Sequence, residues 1–518
     1  MATPQRYAYH VEAGALDLPE RPRKFLEALA AILEHGSYDL ALDTYGRTSA
    51  KCGRCAASCQ LYESTGDPDD IPCRRSELLL RVYRRYFTEG GSLRARLFDR
   101  FELTDEYLDE MAEAYYRCTA CRRCKATCPM GIDHGLVTHL ARWALAEVGV
   151  IPRALLVSVR EQLDGATKNT SAIPLPALKD TCEFLEEELQ DIYDAEVRYP
   201  FDVEGAEYVF FPAVSDYLME ADTLMGNAAV LQLTGTSWTI GEKNYDGINY
   251  GLFYSDRMME RIVRNMVVET RRLHGRKILV GECGHATRSA WYVPTFCGPD
   301  APPVVNCLEL AHSLLEAGRI PLKDEKIPER VTYHDPCNIA RVGRITEQPR
   351  EILKAICADF VEMTPNRTEN YCCGGGGGTV SIDEIRSFRT GPMGARKARQ
   401  IRDTGAELVV SPCANCKKQL RELCQDNALG DVEVVGVHDL LLRVIDFGAV
   451  AGADAAGTEQ DEPPWKHPLA ETAAPLGRPF PIQREAVEST PGAAPTAETT
   501  VSSGSTPSTA NPREEGAD

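Results

Sequence analysis

Apolar side chains recur at helical spacing up to residue 149. Four segments carry apolar residues three and four positions apart with charged residues between them, as amphipathic helices do; they are residues 24–35, 76–87, 104–117 and 135–149. Thr104 followed by Asp105 and Glu106 is a favourable helix start, because acidic residues suit the positive end of a helix dipole. We therefore predict an N-terminal helical segment (1–39), an all-helical module (40–145) and a helical linker (146–203).

From about residue 204 the pattern changes to short apolar runs that alternate with helical stretches. The runs end in turn residues or cysteine, and they occupy residues 207–213, 277–283, 331–337 and 407–413. Helical spacing between them, as at 257–275, is typical of parallel sheets, which gather their ligands at the C-terminal ends of the strands.

An internal repeat divides this region into two halves, 204–322 and 323–449. Its matching segments are 209–216 with 332–339, 278–286 with 408–416 and 307–318 with 437–448. The second pair places Cys283 opposite Cys413. The first half has lost most of its thiols, but it keeps Cys283 and adds His285. We predict an α+β multi-domain fold, in which the helical module precedes two pseudo-repeated α/β halves.

Composition limits the class of protein. Residues 450–518 are rich in proline and small residues, and we predict that this tail is disordered. The net charge of −20 argues against nucleic acid as a partner, since such binding needs clustered Lys and Arg. The sequence has no uncharged apolar window of about 18 residues and no secretory signal, so we expect a cytoplasmic protein without a direct membrane span. In that compartment, metal ligation explains the 19 cysteines better than disulfides do.

The first cysteine array matches the run of two-cluster ferredoxins. Cys118-x2-Cys121-x2-Cys124-x3-Cys128-Pro places three thiols on one tight loop and sends the fourth to a second cluster. The partner run is Cys52-x2-Cys55-x3-Cys59. It lacks its first cysteine, and Ser49 occupies that position.

The economical assignment gives two [4Fe–4S] cubanes. One is held by Cys59, Cys118, Cys121 and Cys124, and the other by Cys52, Cys55, Cys73 and Cys128. Cys73 has no place in the standard run, so a core thiol is the alternative for it. Two zinc sites are the alternative for the whole array.

The second array consists of Cys337, the pair Cys372-Cys373, Cys413 and Cys416. Five thiols are one too many for a tetrahedral zinc ion, and two adjacent cysteines enter such a site only with strain. A larger, sulfur-rich iron centre suits vicinal thiols with distant partners, and a zinc site with spare thiols is the alternative. The glycines from Gly374 to Gly378 are expected to permit positive φ and close approach of the backbone to a bulky cluster.

Three residues outside the ligand set are candidates for catalysis. Cys283 and His285 occupy the repeat position of cluster ligands and are expected to face the same cleft, with simple packing as the alternative. His334, in His-Asp-Pro-Cys, is a candidate proton donor, with a turn or core role as the alternative. The basic residues that flank the ligands are candidates to attract an anionic substrate or partner, with a solvated charged surface as the alternative; these are Arg341, Arg344, Lys417 and Lys418.

The second array, with its HDPC and CCGGGGG sequences, resembles the CCG domain of the heterodisulfide reductases. That resemblance implies that the five thiols bind a non-cubane [4Fe–4S] centre that cleaves sulfur–sulfur bonds. The module order over residues 45–447 resembles the HdrD subunits of heterodisulfide reductases. Four stretches resemble a narrower group, the DsrK family of the DsrMKJOP complexes of sulfur metabolism. They are GDPDDIPCRRSELLLRVYRRY, MGIDHG, GEKNYDGINYGLFYSD and GECGHA.

The resemblance also implies partners. DsrK-type subunits lie on the cytoplasmic face of the cell membrane with the other DsrMKJOP subunits. There they dock on DsrM, a membrane subunit that carries haem b and exchanges electrons with quinone. Their substrate is the small sulfur-carrier protein DsrC, which bears a trisulfide between two cysteines of its C-terminal arm. The loss of most ligand thiols from the first α/β half agrees with that family.

Two other classes share part of this pattern. The first is the iron–sulfur electron-transfer subunit of a dehydrogenase for glycolate, lactate or glycerol 3-phosphate, which has the same module order. The second is a non-catalytic zinc scaffold. The sequence leaves the direction of the reaction open, because the same relay serves sulfite reduction or sulfur oxidation.

Overall fold

The computed structural model describes residues 20–91 and 100–452. The predicted disordered tail beyond residue 452 and the first 19 residues of the N-terminal segment lie outside the described residues.

The helical module is organised around one buried helix. Its helices are α1 (Arg21–Leu33), α2 (Gly36–Thr48), α3 (Gln60–Thr65), α4 (Pro72–Tyr86), α5 (Asp105–Tyr116), α6 (Arg123–Ala126) and α7 (His134–Glu147), and the linker adds α8 (Arg153–Asp164) and α9 (Leu175–Tyr193). Helix α7 is buried along most of its length and packs against α1, α4 and α5. The four predicted helices are confirmed as α1 in the N-terminal segment and α4, α5 and α7 in the module, because their apolar stripes share this core. The Thr104 hydroxyl caps α5 by accepting a hydrogen bond from Tyr107 N at 3.3 Å.

Each α/β half is built on a four-stranded parallel sheet. The first half contains β1 (Tyr208–Phe211), α10 (Ala221–Leu233), β2 (Trp238–Thr239), α11 (Asp256–Arg272), β3 (Lys277–Val280), α12 (Gly284–Ala290), α13 (Val293–Cys297), β4 (Val304–Asn306) and α14 (Cys307–Glu316). The second contains β5 (Ile327–Tyr333), α15 (Gln348–Ile356), β6 (Cys357–Glu362), α16 (Arg386–Thr390), α17 (Ala395–Thr404), β7 (Leu408–Val410), α18 (Ala414–Asp426), β8 (Glu433–Val435) and α19 (Val437–Val444). The strand orders are β2-β1-β3-β4 and β6-β5-β7-β8. The predicted α+β fold with two pseudo-repeated halves is thereby confirmed.

The four apolar runs of the sequence are the central strands β1, β3, β5 and β7. The neighbouring strands β2, β4, β6 and β8 were not predicted. Three of them have only two or three residues, and β6 is largely exposed or half-buried, so none of them produces a strong apolar run.

The observed strand register corrects the alignment of segment 209–216 with segment 332–339 by one residue. Val209 pairs with Ile278 in the first sheet, and Val331 pairs with Leu408 in the second. Since Ile278 and Leu408 are aligned, Val209 is equivalent to Val331 and not, as the sequence alignment has it, to Thr332. The paired ends of β1 and β5 are buried on both faces, so no alternation of polar residues marks the register in the sequence.

The two halves contact each other beyond the C-terminal ends of their strands. Ala414 N donates a hydrogen bond to Glu282 O at 3.0 Å, and His438 N donates to the buried Glu282 carboxylate at 2.8 Å. Helix α10 also packs against α19. Because β3 and β7 end beside this contact, Cys283 and Cys413 reach the same edge. Among the described residues, no helix is long and apolar enough to cross a lipid bilayer.

Candidate metal centre

Four thiols of the first array line one cavity in the helical module. They are Cys59, Cys118, Cys121 and Cys124, and the cavity has a volume of about 520 Å³. The loop after α5 turns tightly, with positive φ at Ala120 (50°) and Arg122 (61°), and Ala120 N donates to Cys118 Sγ at 3.4 Å. The buried Arg75 guanidinium lies 4.0 Å from Cys59 Sγ and supplies positive charge beside these thiols. Four thiols around one cavity, with an amide and a cation beside them, fit a four-iron cluster.

The remaining thiols of the first array are less completely gathered. Cys55 is a close neighbour of Cys73, and its thiol is the main cause that lowers the pKa of Cys73 to about 6. Backbone amides of Gly53 and Arg74 also favour its thiolate. Cys52 is exposed and Cys128 is half-buried. The structure therefore brings Cys73 to the partner run, while the ligation of the second cubane by all four thiols stays a prediction.

All five thiols of the second array line a single cavity of about 380 Å³, together with His285 and His334. Cys337 follows β5 and Cys413 follows β7, so both reach the cavity from the C-terminal ends of strands. Cys373 Sγ lies 3.4 Å from Cys416 Sγ. The amides of the glycine run point at sulfur, since Gly374 N and Gly375 N lie 3.4 Å from Cys372 Sγ and Cys373 Sγ respectively. A donor set of five convergent thiols with amides directed at sulfur fits an iron–sulfur centre rather than one zinc ion.

His334 presents a hydrogen-bond donor to this cavity. One of its ring nitrogens lies within 4.8 Å of both Cys373 Sγ and Cys416 Sγ. The buried Lys397 ammonium donates to Asn370 Oδ1 at 2.7 Å, which turns the Asn370 Nδ2 group towards Asp335 O (2.7 Å) and His334 Nδ1 (3.4 Å). His334 Nδ1 is thus the acceptor, and the ring proton of the neutral imidazole belongs on Nε2.

Burial determines the charge of these two side chains. It lowers the pKa of His334 well below the usual value, so the ring is neutral at pH 7. It lowers the pKa of Lys397 to about 7, against the opposing effects of Asp335 and the nearby thiols. Sequence reasoning missed Lys397, because it is one of several basic residues of α17 and no spacing distinguishes it from the others.

His285 lies between Cys283 and Cys413. Cys283 Sγ lies 3.4 Å from the ring nitrogens of His285, and Cys416, with a smaller effect of His285, lowers the pKa of Cys413 well below its usual value. The His285 ring stacks on Tyr250, with centroids 5.2 Å apart, and tilts against Phe253 at 5.4 Å. His285 lines the five-thiol cavity, whereas Cys283 is buried behind it, and burial raises the pKa of Cys283 well above its usual value. The two aromatic rings were missed because neither lies near a cysteine in the sequence.

The two arrays meet at the glycine run. Cys121 packs against the thiol cluster that contains Cys372, and this neighbour, together with burial, raises the pKa of Cys121. A Cβ atom at Gly376 would lie 2.6 Å from Thr119 O, and one at Gly377 would lie 2.8 Å from Cys118 O. Gly377 also has a positive φ of 65°. The glycines therefore permit close approach to the loop of the first array, in addition to placing amides at the second.

The expectation that basic residues beside the ligands attract an anion is wrong for two of them. Arg341 is buried and donates to the carbonyl oxygens of Cys121 (2.7 Å) and Thr368 (2.7 Å) and to that of Asn370. Lys417 is buried as well, and its Nζ lies 3.0 Å from the Glu220 carboxylate. Both side chains lie in the interior because their hydrogen-bond and ion-pair partners are distant in the sequence.

Besides Cys283, five cysteines stand outside both arrays. Cys182, Cys307, Cys357 and Cys424 are buried and Cys297 is half-buried. Burial raises the pKa of the four buried thiols, which suits small core residues rather than ligands.

Comparison with known proteins agrees with this division into two kinds of site. Residues 50–132 match the family model of the 4Fe-4S dicluster domain, and residues 331–421 match the model of the cysteine-rich CCG domain. The chain is thus an iron–sulfur protein in which a dicluster domain precedes a CCG domain.

Relatives with both regions are similar over most of the chain. The Hdr-like menaquinol oxidoreductase iron-sulfur subunit 2 of Archaeoglobus fulgidus is 29% identical over 451 residues, which cover 78% of this chain and 80% of the relative. The HdrD subunit of the dihydromethanophenazine:CoB–CoM heterodisulfide reductase of Methanosarcina barkeri is 25% identical over 409 residues, or 76% and 93% of the two chains. This chain is therefore similar to iron–sulfur subunits of Hdr-like oxidoreductases.

Proposed function

We propose that this protein is the iron–sulfur catalytic subunit of an electron-transfer complex and that it reduces sulfur–sulfur bonds at the five-thiol site. The observation that carries the proposal is the contact between the two arrays. Cys121, a thiol of the dicluster domain, packs against the cluster of thiols of the CCG domain that contains Cys372, and Arg341 of the CCG domain donates to Cys121 O at 2.7 Å. With these two sets of ligands in contact, electrons would pass directly from the dicluster domain to the five-thiol site.

The residues suggest which groups they hold. Cys59, Cys118, Cys121 and Cys124 would bind one cubane, and Cys52, Cys55, Cys73 and Cys128 the other. Cys337, Cys372, Cys373, Cys413 and Cys416 would bind a non-cubane [4Fe–4S] centre. When bound, these groups supply single electrons and iron that accepts a sulfur ligand.

Protein side chains supply what the clusters lack. Reduction of a disulfide consumes two electrons and two protons and releases two thiols. His285 and His334 line the cavity, and one ring nitrogen of His334 lies within 4.8 Å of both Cys373 Sγ and Cys416 Sγ. These rings would donate hydrogen bonds to a departing thiolate and transfer protons to it, while Tyr250 and Phe253 hold His285 in place.

The proposed partner subunits rest on the similarity of this chain to known proteins, not on a feature of its described surface. The relatives named above belong to a menaquinol oxidoreductase and a heterodisulfide reductase. On that basis we place this subunit on the cytoplasmic face of the membrane, on a DsrM-like haem-b subunit within a DsrMKJOP-type complex. Its substrate would be a disulfide or trisulfide on a DsrC-like carrier protein.

Anaerobically purified protein tests the proposal. We expect about twelve irons per chain with matching acid-labile sulfide, as three four-iron centres. EPR should resolve the five-thiol centre from the cubanes, and a trisulfide-bearing carrier should oxidise the dithionite-reduced protein. About one zinc per chain with little iron would contradict the cluster assignment. Oxidised clusters that a flavin dehydrogenase and its substrate reduce, but that no disulfide or trisulfide reoxidises, would contradict the substrate class.

A further inference from the structure

Lys397 is a buried cation beside the five-thiol cavity. It lies on α17, and it is 0% exposed. Its ammonium group donates to Asn370 Oδ1 at 2.7 Å and lies 3.5 Å from Met363 Sδ. Met363 belongs to the buried cluster of side chains that contains Cys373 and Cys416. The ammonium group is therefore held beside the thiols.

No carboxylate forms an ion pair with Lys397 within residues 20–91 and 100–452. The charge of Asp335 acts on it, but both oxygens of that carboxylate contact Arg350 at 2.8 Å. Lys417, another buried lysine near the site, differs, because the Glu220 carboxylate lies 3.0 Å from its Nζ. A buried ammonium group without a carboxylate partner costs free energy unless other negative charge lies near it.

The thiols of the second array supply this negative charge. Burial lowers the pKa of Lys397, and after Asp335 the groups that oppose this effect are Cys373, Cys372 and Cys416. Thiols that bind a metal are deprotonated, so the loaded site is more negative than five neutral thiols. The attraction is mutual, and the ammonium group in turn stabilises negative charge at the site.

We infer that Lys397 sets the reduction potential of the centre held by the five thiols, as a buried cation that stabilises the site once it has gained an electron. The inference rests on the proposed function only in that these thiols hold a redox-active centre. Each one-electron reduction adds one negative charge, and a fixed positive charge in a low-dielectric interior favours the reduced state. Lys397 would thus raise the potential and favour electron transfer from the dicluster domain to the five-thiol site.

A purely positional role is the alternative. Asn370 links Lys397 to Asp335 O (2.7 Å) and to His334 Nδ1 (3.4 Å), so loss of Lys397 would also free the Asn370 amide to turn. Two neutral variants separate the roles. Lys397→Gln removes the charge and keeps an N–H donor for Asn370, whereas Lys397→Met removes both. A charge effect lowers the potential in both variants, and a positional effect lowers it in Lys397→Met alone.

An EPR-monitored redox titration of the anaerobic, cluster-loaded protein measures the potential. We expect both neutral variants to disfavour reduction of the five-thiol centre at least tenfold, which is about 59 mV for a one-electron step. Lys397→Arg keeps the charge and should restore the potential towards the wild-type value. Arg399→Met removes the same charge from the exposed face of α17 and should leave the potential unchanged, because solvent and salt screen an exposed charge.

Iron content shows which variants keep the centre. If both neutral variants lose it and Lys397→Arg keeps it, the site requires the positive charge, which supports the inference. Loss of the centre in all three variants would overturn it, because the site would then need the shape of lysine. A wild-type potential in Lys397→Gln would overturn it as well. A lowered potential in both neutral variants of a protein that reduces no disulfide or trisulfide would leave the role of Lys397 standing and refute the proposed function instead.

Discussion

Arg341 Nη1 donates a hydrogen bond to the carbonyl oxygen of Cys121 at 2.7 Å. Arg341 follows Cys337 by four residues, so a residue beside a ligand of the second array holds the backbone of a ligand of the first. The same guanidinium reaches Thr368 O, at 2.7 Å, and Asn370 O. One buried side chain thus fixes the distance between the two arrays.

Replacing Arg341 should disturb this junction. Arg341→Met leaves the buried Asn370 carbonyl and the half-buried carbonyls of Cys121 and Thr368 without their donor and should cost about 2 kcal/mol of stability. In cluster-loaded protein it should also weaken the magnetic coupling between the centres and slow reduction of the five-thiol centre in rapid-freeze EPR. The exposed neighbour Arg344 gives the control, Arg344→Met, which should leave both measurements unchanged. If the magnetic coupling and the reduction rate are unaltered in Arg341→Met, the distance between Cys121 and Cys372 does not depend on the Arg341 side chain.

Cys73 is predicted to be a ligand of the second cubane. Because Cys55 is its close neighbour, Cys73→Ser should remove one cubane EPR signal and about four irons per chain. The other cubane and the five-thiol centre should persist. The buried Cys182, which belongs to neither array, provides the control Cys182→Ser, with full iron content expected. A Cys73→Ser protein with wild-type iron and spectra would make Cys73 a core thiol and leave Ser49 or another group as the ligand.

The thiol site and the residue behind it should respond differently to mutation. Cys373→Ala should abolish the five-thiol centre and all sulfur–sulfur reduction. Cys283→Ala should retain three centres but lower turnover with the carrier protein, because His285 loses the neighbour at 3.4 Å that helps to position it. Turnover and iron content, measured side by side, distinguish the two effects. Wild-type turnover in Cys283→Ala would show that this thiol serves only packing. Loss of a centre would show that it is a cluster ligand.

A buried ion pair supports the loop that carries His334. Arg350 contacts both Asp335 oxygens at 2.8 Å and Glu362 Oε1 at 2.7 Å, and the side chains of Arg350 and Asp335 are at most 1% exposed. Arg350→Met leaves Asp335 charged and unpaired in the interior. We expect a loss of about 3–5 kcal/mol in the free energy of unfolding, measured by denaturant titration. Arg330→Met, which breaks the exposed pair with Asp359, should change stability by less than about 1 kcal/mol. Similar losses in both variants would contradict the special role of the buried pair.

The sequence alone determined what depends on local spacing. The run Cys118 to Cys128 specifies a cluster-binding loop, because its thiols lie on one short turn and need no distant partner to be recognised. The helices predicted around α7 and the central strands were confirmed for the same reason, since an apolar stripe or a buried run is a local pattern. The matching segments around Cys283 and Cys413 likewise indicated two halves of one topology.

Tertiary structure decided which of these local features meet. Cys121 and Cys372 lie 251 positions apart in the chain, and only the packing of the dicluster domain against the glycine run brings them close together. The roles of Lys397 and Tyr250 depend equally on partners that no spacing in the sequence reveals. Arg341 and Lys417 were expected to remain accessible to an anion, but distant carbonyl and carboxylate groups hold them in the interior. A sequence pattern records the residues near in the chain, whereas burial and charge at a site depend on all residues near in space.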